Sequence, residues 1–151
     1  MGRMYAAPID ISSFGTAAGD IVEIRPAAGK PIAFHGMFLA DSSANANERL
    51  AIIVKRMATS GSGGTTVTGV PLDPNGAADA CTVETANTTD ASSTATNLKR
   101  DAFDTQQGWQ YLPAPEHRIL QDDGESLVVA ITDTPATSPA FQGYILYEEL
   151  I

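Results

Sequence analysis

Pro31-Ile32-Ala33-Phe34-His35-Gly36-Met37-Phe38-Leu39-Ala40 decides the fold, and Phe141-Gln142-Gly143-Tyr144-Ile145-Leu146-Tyr147-Glu148-Glu149 repeats its message near the other end of the chain. Each is a short run rich in aromatic and branched residues, bounded by turn formers, and neither has helical spacing. Alternate residues of a strand face opposite sides of its sheet. A strict period of two puts Ile32, Phe34 and Phe38 on one face and Ala33, His35, Met37 and Leu39 on the other. In the second run Phe141, Ile145 and Tyr147 share a face, opposed by Tyr144, Leu146 and Leu150. Both faces are thus apolar, whereas a sheet covered on one side alternates with polar residues. Two arrangements account for this: loops of the chain pack over the outer face, or a neighbouring subunit does.

Working outward, comparable blocks recur at 5–11, 20–25, 49–58, 65–70, 82–86, 109–112, 118–121 and 126–132, separated by Gly, Pro, Asn, Asp and Ser clusters. About eight to ten short strands predict an all-β fold, an antiparallel sandwich of jelly-roll type in a single domain. Ala27-Ala28-Gly29-Lys30-Pro31 and Asp73-Pro74-Asn75-Gly76 read as turns. Asp122-Asp123-Gly124-Glu125 reads as a hairpin turn that sets Leu120 opposite Leu127. Residues 60–96, dominated by Gly, Ser, Thr, Ala, Asn and Asp, read as loops around short weak strands, either an exposed excursion or a surface packed on another protein. Residues 1–19 are a candidate N-terminal arm, with a fraying first strand as the plainer reading.

Nine basic residues against eighteen acidic ones, in 151, give a formal charge of −9. That sign argues against nucleic-acid binding. No stretch approaches the ~20 apolar residues of a membrane-spanning helix, and no signal-peptide pattern opens the chain, so synthesis in a reducing cytoplasm is expected. Cys81, the only cysteine, rules out an intrachain disulfide or a multi-cysteine zinc site and suits a small buried apolar role.

Catalytic, cofactor and metal signatures are not found. His35 and His117 are available as bases, but Gly61-Ser62-Gly63 lacks the full nucleophile-elbow pattern and reads as a flexible turn. Asp122, Asp123 and Glu125 crowd one turn, where solvation is the ordinary state and a bound cation the alternative. The expectation is a non-enzyme without cofactor. Trp109 and Tyr111 share a strand face as a core anchor, an interface hot spot or a sugar platform, the core being favoured. The interface candidates are Tyr5, His35, Met37, Leu39, Trp109, Tyr111 and Tyr144.

The segments Thr59-Ser60-Gly61-Ser62-Gly63-Gly64, Val70-Pro71-Leu72-Asp73-Pro74, Asn87-Thr88-Thr89, Gly108-Trp109-Gln110-Tyr111-Leu112-Pro113-Ala114-Pro115-Glu116 and Tyr147-Glu148-Glu149 resemble small β-rich virion proteins of tailed bacteriophages. The likeness is to the capsid-decoration or head-associated kind. It implies a jelly-roll sandwich, a homo-oligomer with a trimer favoured, and binding to the major capsid protein on the outer surface of the shell. It carries no catalytic residues with it. A carbohydrate- or receptor-binding sandwich of a head fibre or tail fitting is the alternative.

Overall fold

A computed structural model describes residues 2–93 and 96–150. Among the described residues there are twelve strands: β1 (Arg3–Ile11), β2 (Gly19–Arg25), β3 (Ile32–Asp41), β4 (Arg49–Met57), β5 (Thr65–Val67), β6 (Val70–Pro71), β7 (Thr82–Thr85), β8 (Thr96–Asp104), β9 (Trp109–Tyr111), β10 (Ile119–Gln121), β11 (Ser126–Ile131) and β12 (Phe141–Glu149). They form two antiparallel sheets. The front sheet runs β10-β3-β12-β1-β6, with β9 also on β3, and the back sheet runs β5-β7-β2-β11-β4-β8. The long strands pair in nested order: β1 with β12, β2 with β11, β3 with β9 and β10, β4 with β8. This is a jelly roll, a hairpin of paired strands folded over on itself.

Alternation places the core. Along β1, Tyr5, Ala7, Ile9 and Ile11 are buried while Met4, Ala6, Pro8 and Asp10 are not. Ile145 and Tyr147 of β12 and Leu127, Val129 and Ile131 of β11 meet them from the two sheets. Residues 3–11 sit inside the front sheet between β12 and β6, because their alternate side chains have core positions to fill.

Three register shifts interrupt the ladders among the described residues, in β3, β2 and β8, and the first two decide which side chains enter the core. In β3, Phe34 faces Tyr147 and Gly36 faces Leu146, leaving His35 as the extra residue. Ile32 and Phe34 point into the core before the bulge, and Met37 and Leu39 after it. Phe38 consequently lies on the outer face, opposite to the assignment that an unbroken period gives it. A second irregularity pairs Val22 with Val129 and Asp20 with Ala130, so Ile21 is the extra residue of β2. It enters the core, and both Asp20 and Glu23 turn outward.

The turn at 122–125 is not a hairpin. β10 pairs with β3 in the front sheet and β11 with β2 and β4 in the back, so this segment crosses between the sheets. Leu120 ends on the outer surface and Leu127 in the core. The other two turns form as expected. The Lys30 N–H donates to Ala27 O across Gly29, which has φ +70, and the Gly76 N–H donates to Asp73 O.

The segment between β4 and β8 packs on the chain itself. β6 seals the edge of β1, and β7 with β5 seals that of β2. Residues 58–62 and 87–92, joined by the bridges Thr59–Ser92 and Ser62–Thr89, lie as a strap on the outer face of the back sheet. Ala91 of the strap completes a small apolar cluster with Ile53, Met57, Val128 and Ala130. Two buried carboxylates seat it: Glu23 accepts from the Gly61 N–H and the Asn87 amide, and Asp20 accepts from the Ala91 N–H.

Candidate interaction surface

The back sheet has its outer apolar residues covered by the strap; the front sheet has no such cover. Among the described residues the large apolar side chains left most exposed are Val70 (58%), Leu72 (55%), Leu112 (56%), Leu120 (58%) and Tyr144 (40%). All five lie on the outer face of the front sheet. Pairing register shows why.

Leu120 opposes Ala33, Ala33 opposes Glu148, and Glu148 opposes Met4. Leu72 continues this row by donating its N–H to Met4 O. In the next row Leu146 lies between Gly36 and Ala6, and Ala6 opposes Val70. Leu112 covers Gly36, where a Cβ would come within 2.6 Å of both Leu112 Cδ2 and Tyr111 O. A third row joins Gln110, Phe38, Tyr144 and Pro8, with the Phe38 and Tyr144 rings stacked at 6.1 Å. Five strands by three rows span on the order of 500 Å² of sheet, and exposed apolar side chains gathered on one such face mark an interaction surface. The one ion pair within it is internal, His35 Nε2 to Glu148 Oε2 at 2.9 Å. A partner covering the patch therefore meets this acid already neutralised when His35 is protonated, or hydrogen-bonded when it is not.

Of the sequence-derived interface candidates, Tyr144 is on this surface and His35 lies half-buried at its bulge. Tyr5, Met37, Leu39 and Trp109 are buried between the sheets and are unable to form a surface. Their positions follow from the β1 alternation, the β3 bulge and the inward turn of β9. Tyr111 is half-buried, stacked on Phe34 at 5.8 Å and on Trp109 at 6.0 Å.

Trp109 also ties the open side of the sandwich. Its Nε1–H donates to Asp101 Oδ2 on β8 at 3.2 Å, and this bond, with a backbone bond from Ala102, holds the Asp101 carboxyl below its usual range. Next to it Lys99 Nζ lies 5.2 Å from the Tyr111 ring centroid. Replacing Trp109 by Phe keeps the stack and loses this link between the sheets. It should lower unfolding free energy by about 1–2 kcal/mol in urea denaturation, with little effect on any partner that binds the front face.

Asp123, Glu149 and Asp79 fasten loops in place. Asp123 Oδ2 accepts from the Gly29 N–H at 2.6 Å, so one acid of the 122–125 turn fastens the neighbouring loop. Glu149, buried at the end of β12, accepts from the Ala80 and Cys81 N–H groups. Tyr147 donates its hydroxyl to Asp79. Burial and Glu149 push the Cys81 thiol up to about 12, leaving it protonated at neutral pH. No cluster of three metal-ligating side chains occurs among the described residues. No helix among them is long and apolar enough to cross a membrane.

Missing from the sequence-derived candidates were Leu112, Leu120, Leu146, Val70 and Leu72. Their signal is combinatorial, since only the register brings single apolar residues of five strands into one patch. Comparison with protein-family models, curated proteins and solved structures yields no match to this chain.

Proposed function

We propose that this chain is a structural virion protein that binds the outer surface of a phage capsid as an oligomer and reinforces the shell. The observation that carries the reading is the contrast between the two outer faces. One is covered by the chain's own strap, while the other holds every one of the most exposed large apolar side chains among the described residues. A sheet face of this kind is a preformed, rigid docking plane, and reinforcement needs only that many such contacts repeat by symmetry. The resemblance of the segments between Thr59 and Glu149 to head-associated phage proteins supplies the partner, and the net charge of −9 suits a surface remote from packaged DNA.

Purified protein mixed with assembled capsids should co-sediment at a saturating ratio that matches the repeat of the shell lattice. Native mass spectrometry of the free protein should show a closed oligomer. Absence of co-sedimentation at micromolar concentration overturns the proposal. The exposed Tyr144 ring, stacked on half-buried Phe38, favours one second reading, a carbohydrate- or receptor-binding fitting. That reading requires glycan binding lost on Tyr144→Ala and only a few copies per particle.

A further inference from the structure

The strap on the back sheet has the construction of a cover that lifts. Its second arm is bounded by Ala86 and Ser93, both non-glycine residues in the left-handed region at φ 51 and 79. Backbone held there is strained, and opening releases it. The arm is joined to the first by two isolated bridges rather than by a ladder. It is held to the sheet chiefly by the carboxylates beneath it.

Those carboxylates are crowded. Asp20 is 1% exposed; Oδ2 accepts from the Ala91 N–H, while Oδ1 has no hydrogen-bond partner and lies 3.8 Å from Lys55 Nζ of β4. The Asp20 N–H donates to Asp90 Oδ1 of the strap at 2.9 Å, which brings a second acid to the same place. Glu23 stands further along β2, attended by Arg25, whose guanidinium also pairs with Glu84 of β7. From β11, Ser126, Val128 and Ala130 face this layer, none of them charged, and Ser126 Oγ lies 2.9 Å from Ser60 Oγ of the strap. Asp20 thus has one distant cation, two acids and an orphaned oxygen.

We propose that residues 86–93 form a hinged cover over the outer face of the back sheet, closed while Asp20 is protonated and loosened when it ionises. Lifting the cover returns Asp20 to water, separates it from Asp90, relaxes both left-handed residues, and bares Ile53, Met57, Val128 and Ala130 as a second apolar face.

The sign follows from the proton balance. Burial, with Asp90 and Glu23, raises Asp20 from its ordinary 3.8 to about 6, against the bond from Ala91 and the charge of Lys55. The closed form then binds a proton between these values that the open form has released. Closure is favoured in full below about 4 and loses that advantage as pH rises through about 6. The ceiling on the loss is about 100-fold in the closing equilibrium.

Amide hydrogen exchange on the intact protein, corrected for intrinsic rates, tests this. From pH 4 to pH 7.5 the protection of the Ala91 and Ser92 amides should fall by 10- to 100-fold relative to those of Val128 and Val129. In Asp20→Asn, which keeps the acceptor for Ala91, the fall should vanish; in Asp90→Asn it should shrink. Protection independent of pH in the natural chain, or an undiminished fall in Asp20→Asn, overturns the proposal.

Discussion

Gly143→Val should unfold the protein or cost at least about 4 kcal/mol, measured as the loss of the urea midpoint at unchanged slope. Gly143 sits in β12 between Ile9 of β1 and Leu39 of β3. A Cβ there would overlap Phe38 O, with Phe38 C at 2.7 Å and Leu39 Cα at 3.1 Å. These are backbone atoms of the adjacent strand, so no side-chain rotation relieves the overlap. β12 would have to separate from β3 at the centre of the front sheet, where Phe141, Ile145 and Tyr147 are fully buried. Gly143→Ala should show the same direction with a smaller loss. A midpoint unchanged in both variants would mean that the strands approach less closely than described.

Charging the front face should abolish association without unfolding the chain. In Leu120→Lys/Tyr144→Lys both substituted side chains are well exposed, so stability should change by less than about 1 kcal/mol in total. Docking would bury two unpaired ammonium groups, each costing several kcal/mol, and binding to capsids or to further copies should weaken by at least about 100-fold. Co-sedimentation of folded variant and natural chain under identical conditions reads the difference. Full binding by the double variant would move the docking plane elsewhere on the molecule.

Most strands were legible because their residues carry period two and their ends carry turn chemistry; β12 spans Phe141–Glu149, as the pattern predicts. β8 was not. Thr96-Asn97-Leu98-Lys99-Arg100-Asp101-Ala102-Phe103-Asp104 is an edge strand with two large apolar residues, and its charged side chains are what keep such an edge from pairing with other chains. Local pattern has no means of separating it from a polar loop. Parity failed at His35 for another reason: a bulge adds one residue and reverses every assignment beyond it, as it does for Phe38. The Asp122-Asp123-Gly124 turn has hairpin chemistry, yet Leu127 gains more by packing between the sheets than by pairing with Leu120. The two-sided apolar pattern itself resolved differently on each sheet. A strap of small polar residues covers the back face, and the front face is bare.

The nested pairing of β1 with β12 has a kinetic consequence. Arg3 lies opposite Glu149, so these first nine strand residues find their long partner only once residues 141–149 have been made. Closing so large a loop is slow, on a scale of about milliseconds to seconds for topologies of this type. During synthesis β1 must therefore wait without its long partner, and Val70–Pro71, pairing with its other edge as β6, are the first residues able to hydrogen-bond to it.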